Sequence, residues 1–204
     1  MQDIANKIVS RIHGHGKGWC FTPKDFVDFG SPESVRIKLF RLAKQQIIRR
    51  LAKGLYDYPE KHTQLGLLSP SHDAVAEALA RHDRIRVQPT GAYTANLLGL
   101  SDQVPAKVVY LTEGRARRVK LGNCEIRLKQ TTPQHMVTAT RISGTVIQAL
   151  RYIGNDRLTA EHVRKLQRKL NAADKKCLRT DLIHAPAWMH KWLPLIFADP
   201  ENSG

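Results

Sequence analysis

The 204-residue chain is long enough for one large domain or two small ones, each able to bury a core without metal or disulfide staples. Cys20, Cys124 and Cys177 are odd in number, far apart and without a C-x-x-C pair, which excludes a disulfide scaffold; no apolar run reaches the roughly twenty residues of a membrane span, and residues 1–12 lack the core of a signal peptide. The 33 Lys and Arg against 18 Asp and Glu give a formal charge of +15, so a cytoplasmic protein with a polyanionic partner is expected, nucleic acid ahead of acidic membrane because no basic amphipathic anchor stands out.

In chain order, Ile4, Ile8, Val9 and Ile12 recur at helical spacing and must stop at the glycines of 14–18. Trp19-Cys20-Phe21 is a short extended segment. Thr22-Pro23-Lys24-Asp25 then reads as an N-cap, proline at the first helical position and a carboxylate at the third, opening a brief helix that buries Phe26 and Phe29 and ends at Gly30. Ser31-Pro32-Glu33 repeats the signal. In the third helix Val35, Leu39 and Leu42 share one face, leaving Ser34, Ile37, Lys38, Arg41, Lys44 and Gln45 outward with Arg36 on the flank. Ile47 to Leu51 and Leu55 to Tyr58 flank Lys53-Gly54 as a small hairpin with a basic first strand, Arg49 and Arg50, and a basic tip, Lys53. Three helices and a hairpin in this order are a winged helix-turn-helix, whose third helix enters the DNA major groove while the hairpin touches backbone or minor groove. The exposed Ile37 and Phe40 fit a thymine methyl or, equally, a packing contact with another domain.

Residues 59–70 have no clear periodicity and read as a connector. Beyond it, Ser71 to His82 is expected as a helix, Ile85 to Gln88 as a strand, Thr90 to Leu98 as a helix and Lys107 to Thr112 as a strand. Gly122-Asn123 closes a hairpin between Ala116–Leu121 and Cys124–Lys129. Arg115, Arg117, Arg118 and Lys120 on it suit either a solvated sheet edge or a second phosphate contact. Thr145 to Ile153 and Thr159 to about Cys177 read as two helices. Trp188, Met189, Trp192, Leu193, Leu195, Ile196 and Phe197 make an apolar end suited to capping a core, with dimerisation or partner docking as the alternative. The expected class is α+β, an N-terminal winged helix-turn-helix (1–60), a connector (61–70) and a mixed α/β C-terminal domain (71–204).

Two groups of residues carry a resemblance. Phe21-Thr22-Pro23-Lys24-Asp25-Phe26, Ser31 to Leu42 and Ile48-Arg49-Arg50-Leu51-Ala52-Lys53-Gly54-Leu55-Tyr56-Asp57-Tyr58-Pro59 resemble the N-terminal domain of AbiEi-type abortive-infection antitoxins. Arg86 to Leu100, with Pro89-Thr90-Gly91, and Val104-Pro105-Ala106-Lys107 to Thr112 resemble that family's second domain. The resemblance implies a repressor of its own two-gene unit, acting on inverted repeats and as a homodimer, in a type IV toxin-antitoxin system linked to phage defence. The implied functional partner is a nucleotidyltransferase-like toxin that need not form a stable complex with it.

Enzymatic chemistry finds little support. His13, His15 and Cys20 fall short of the four ligands of a structural zinc site, and the glycines of 14–18 lack the preceding strand and following Ser or Thr of a phosphate loop. Around the 116–129 hairpin only Glu125 is acidic, too little for a nuclease metal centre. No catalytic residue, metal or cofactor is expected. The alternatives are a ligand-sensing regulator, a protein-docking scaffold and a nucleic-acid enzyme.

Overall fold

A computed structural model describes residues 4–197 as a mixed α and β protein. It divides into two compact units, 1–85 with 119–122, and 86–118 with 123–204. The division therefore falls after Ile85 and not in the 61–70 stretch.

In the first unit, α1 (Ile4–His15) buries Ile8 and Ile12. It is followed by β1 (Cys20–Phe21) and a 3-10 turn (Pro23–Phe26) whose Asp25 carboxylate accepts the Thr22 backbone N–H at 2.7 Å. The Thr-Pro signal is thus used for one tight turn, shorter than the expected helix, because Phe26 is already seated against Phe21, their rings 5.4 Å apart edge to face. Ser31 caps α2 (Pro32–Lys44) by accepting from the Ser34 N–H. The helix ends in a Schellman motif: Gln46 takes φ +59, its N–H donates to the Ala43 carbonyl, and Ile47 N–H donates to that of Leu42. No glycine marks that stop. β2 (Arg49–Ala52) and β3 (Leu55–Asp57) form an antiparallel hairpin with a register shift between Arg50 and Ala52. β1 pairs on the other side of β3, giving the sheet order β1-β3-β2. Val35, Leu39 and Leu42 of α2 meet Ile8, Ile12, Phe21, Phe26, Ile48 and Tyr56 in one core.

The 59–70 stretch contains a further two-stranded ribbon, β4 (Lys61–His62) with β5 (Gly66–Leu67). α3 (His72–Asp83), capped by Ser71, belongs to the first unit. Its Arg81 donates to the Cys20 carbonyl at 2.7 Å and pairs with Asp25 at 3.1 Å, and Lys24 donates to the His82 carbonyl at 2.9 Å. These bonds absorb carbonyls at the helix end and on β1 that would otherwise need water.

The second unit begins with β6 (Val87–Thr90) and α4 (Ala92–Leu97). β6 lies antiparallel to β7 (Lys107–Thr112), β7 lies parallel to β9 (Cys124–Gln130), and the sheet order is β6-β7-β9-β8, with β8 (Arg117–Leu121) divided between the units at Val119. Val108, Tyr110, Thr112, Ile126 and Leu128 alternate as the buried face. Gly122 alone of the Gly122-Asn123 pair takes positive φ, as a glycine-first hairpin turn requires.

α5 (Ile142–Ile153) follows. The expected helix over 159–177 is two, α6 (Ala160–Lys169) and α7 (Ala172–Thr180), because Asn171 and Asp174 form a reciprocal capping box that restarts the chain after Leu170. α8 (Leu193–Phe197) closes the unit, and Met189, Leu193 and Ile196 lie fully buried against α5 to α7. The apolar C-terminal segment is therefore core. No described helix is long and apolar enough to cross a membrane.

Candidate nucleic-acid interface

The outer face of α2 follows from its buried one. With Val35, Leu39 and Leu42 inward, 100° per residue places Ile37, Phe40, Arg41 and Lys44 outermost and Arg36 beside them, and all five are exposed. Ser34 and Lys38, expected on this face, are half-buried at its edge. Ser34 is held by the capping serine, whose hydroxyl donates to it at 2.9 Å. Gln45 is the exposed C-cap, its side chain at the helix end beside the face.

The cations on this face differ in what holds them. Arg36 Nε donates to its own helix at the Pro32 carbonyl, 3.2 Å away, which keeps the guanidinium close to the first turn. Lys44 Nζ stands 5.1 Å from the centre of the exposed Phe40 ring, a cation–π contact that orders both side chains. Arg41 has no side-chain partner among the described residues. Glu33 is exposed in the first turn, where an acid suits the helix dipole.

On the hairpin the three expected basic residues separate. Arg50 and Lys53 are exposed and unpaired among the described residues. Arg49 is committed inward: Nε and Nη2 bind the two carboxylate oxygens of Asp57 at 3.0 and 2.5 Å, and Nη2 also donates to the Leu68 carbonyl at 2.7 Å. Asp57 has a side chain only 1% exposed. It lies across from Cys20 on one side and Arg49 on the other, at the middle of the three-stranded sheet. Arg49 is therefore a structural cation, and a phosphate would have to compete with a bidentate carboxylate for it. Position on the basic strand suggested otherwise, because the pairing residue stands eight positions on, across the turn.

Two further acids of this unit are similarly engaged. Arg11 grips Asp28 with two bonds of 2.8 and 2.6 Å, holding that carboxyl below its usual range through the hydrogen bond, and Asp25 takes Arg81.

The second basic group lies on and beside β8. Arg115, Arg118 and Lys120 are exposed and Arg117 is half-buried. On the neighbouring β9, Arg127 is paired with Glu125, whose carboxyl that bond pulls below its usual range.

Burial, with Asp57 adding to it, pushes the Cys20 thiol up to about 12, so it is neither a thiolate ligand nor a nucleophile at neutral pH. Among the described residues no three His, Cys, Asp or Glu side chains gather as a metal site.

The sequence model of a family described as "Family of unknown function (DUF6088)" matches residues 7–178. No curated protein matches the chain. Among solved structures, the RV2827C protein from Mycobacterium tuberculosis is similar at 14% identity and a TM-score of 0.42, over 97% of this chain and 77% of that one.

Proposed function

The chain belongs to DUF6088, a family of unknown function, so membership brings no activity with it, and we propose from the residues themselves that the first unit is a winged helix-turn-helix that binds duplex DNA. One observation carries this reading: the exposed face of α2 and the adjacent hairpin present Arg36, Arg41, Lys44, Arg50 and Lys53, while Asp25, Asp28 and Asp57 of the same unit are each taken by an arginine. A basic helix face beside a basic hairpin tip has the chemistry that phosphates and base edges ask for. In this reading Arg36, Arg41 and Lys44 face the major groove, with Gln45 and Lys38 at its margin, and Arg50 and Lys53 anchor the wing on phosphates. Arg115, Arg118 and Lys120 supply a second backbone contact.

The resemblance to AbiEi-type antitoxins extends the proposal to a repressor of its own operon whose gene neighbour encodes a nucleotidyltransferase-like toxin. That extension rests on the resemblance alone.

The test is a mobility shift of the full chain on its own upstream DNA against scrambled competitor, between about 50 and 200 mM salt. Retention under excess competitor is the expected result; equal displacement by scrambled duplex defeats the specific reading. Arg41→Ala should relax discrimination among operator variants by about 1–3 kcal/mol if it meets a base edge, and unchanged discrimination removes it from that role. Arg50→Ala should weaken all duplexes alike and lower the salt slope by about one phosphate contact; a loss confined to one sequence would contradict the phosphate assignment.

A second reading has its own observation. Ile37 and Phe40 are 44% and 46% exposed in the middle of the basic face, an apolar pair that also suits docking to a protein. Phe40→Ala that leaves duplex binding intact but abolishes a protein complex would favour it.

A further inference from the structure

The second unit contains a cavity of about 310 Å³ far from any residue used above in sequence. Three segments meet there: the 3-10 turn Pro133–Met136 with the residues after it, the middle of α5, and the 3-10 turn Asp181–His184 with the residues after it. The second turn is fixed by the buried Asp181, which accepts from Ser143 Oγ at 2.5 Å and Arg141 Nη1 at 2.8 Å.

The polar groups on the wall are almost all donors or groups able to donate. Gln148 is only 7% exposed; its Oε1 is satisfied by the Thr90 hydroxyl at 2.9 Å, which leaves the amide NH2 without a partner among the described residues. Thr138 is equally buried, and its hydroxyl has no partner either. Arg151 lies on the next turn of α5 with no carboxylate paired to it among the described residues, His184 stands on the opposite turn, and His135 is held through Nδ1 by Thr131 Oγ1 at 3.0 Å. No Asp or Glu lines the space. Arg151, His135 and His184 are exposed, so the cavity opens to solvent on their side, and the free hydrogen-bonding capacity of its wall can be met by water or by a ligand. Ile147, Ile183 and Pro186 supply an apolar wall beside them.

We propose that this cavity binds a small phosphomonoester of about mononucleotide size. Arg151, His135, His184, Gln148 and Thr138 line the space from three segments. Together they offer more donors than a carboxylate can take up, and they match the three terminal oxygens of a phosphate. The apolar wall takes the organic body. The volume lies at the lower end of small-molecule sites, which excludes large cofactors.

Titration calorimetry of the full chain at about 150 mM salt tests it, with adenosine and uridine 5′-monophosphates, inorganic phosphate and benzoate as probes. Saturable one-to-one binding of a mononucleotide is expected, weakened at least about tenfold by Arg151→Gln and about two- to tenfold by Thr138→Val. Thr138→Val removes a hydroxyl without a partner among the described residues, so its melting temperature should hold while its affinity falls. Arg164→Gln, on the exposed face of α6, should change nothing. Equal loss in Arg164→Gln and Arg151→Gln would reduce the effect to the chain's overall charge and overturn the site. So would binding unaffected by Arg151→Gln and Thr138→Val, benzoate binding without phosphate binding, or no binding of any probe.

Discussion

Arg49→Ala should destabilise the first unit by about 3–5 kcal/mol, enough to unfold a marginal domain. The substitution leaves the Asp57 carboxylate, 1% exposed at the centre of the β1-β3-β2 sheet, with no counter-charge and no donor. It also strips the Leu68 carbonyl of its 2.7 Å bond. Asp57→Ala should cost less, because the guanidinium side chain is 28% exposed, can reach water, and keeps Leu68. Urea unfolding of the two variants measures the asymmetry; equal losses, or a larger loss for Asp57→Ala, would show that the desolvated carboxylate is not the dominant cost. Arg49→Met combined with Asp57→Leu should recover most of the loss, since replacing both buried partners removes the unmet charge. If the proposed function holds, the same double variant should bind duplex DNA as the parent does, because Arg49 is not among the cations left free to meet it.

Gly144→Ala should destabilise the second unit by about 1–3 kcal/mol or more, although glycine to alanine inside a helix ordinarily stabilises by about 1 kcal/mol. The sign reverses because an added Cβ would stand 2.3 Å from the Thr138 carbonyl oxygen and 2.5 Å from Gln88 Oε1. The first neighbour is backbone, in a loop whose Thr140 already takes φ +67, so it has little room to yield. The second is fully buried and has no hydrogen-bond partner among the described residues. A thermal melt reads the outcome, and a raised melting temperature would mean that the loop over α5 gives way more readily than its packing suggests. Because Thr138 also lines the cavity, the variant should disturb that space, which is why Thr138→Val and Arg151→Gln serve better to probe it.

The local signals of this chain were legible and the long-range commitments were not. Ser31-Pro32 marks the start of α2, and Val35, Leu39 and Leu42 fix which side is buried. Gly122-Asn123 marks a turn. These are properties of a few consecutive residues and survive in any fold that uses them. The break between α6 and α7 was missed because Leu166 and Leu170 carry the apolar period up to the break; the informative pair, Asn171 and Asp174, looks like ordinary helix surface until one asks what caps what. The end of α2 was hard to place because its left-handed residue is Gln46 and not glycine. In sequence Arg49 reads as one more cation of the wing, because a basic strand looks the same whether its partner lies across the sheet or outside the molecule. In the second unit, the cavity is assembled from positions near 135, 148 and 184, a convergence that no sequence window contains.

Attachment of α3 has a practical consequence for anyone cutting the chain. A fragment ending at residue 60 would look self-sufficient on paper, with three helical segments and a hairpin. It would nevertheless leave the Cys20 carbonyl without the Arg81 guanidinium, Arg49 without the Leu68 carbonyl, and Lys24 without the end of α3. The first unit runs to Ile85 and also takes in residues 119–122, and a fusion or deletion series that places its junction before Ser71 severs the brace that holds the hairpin's root to the rest of its unit.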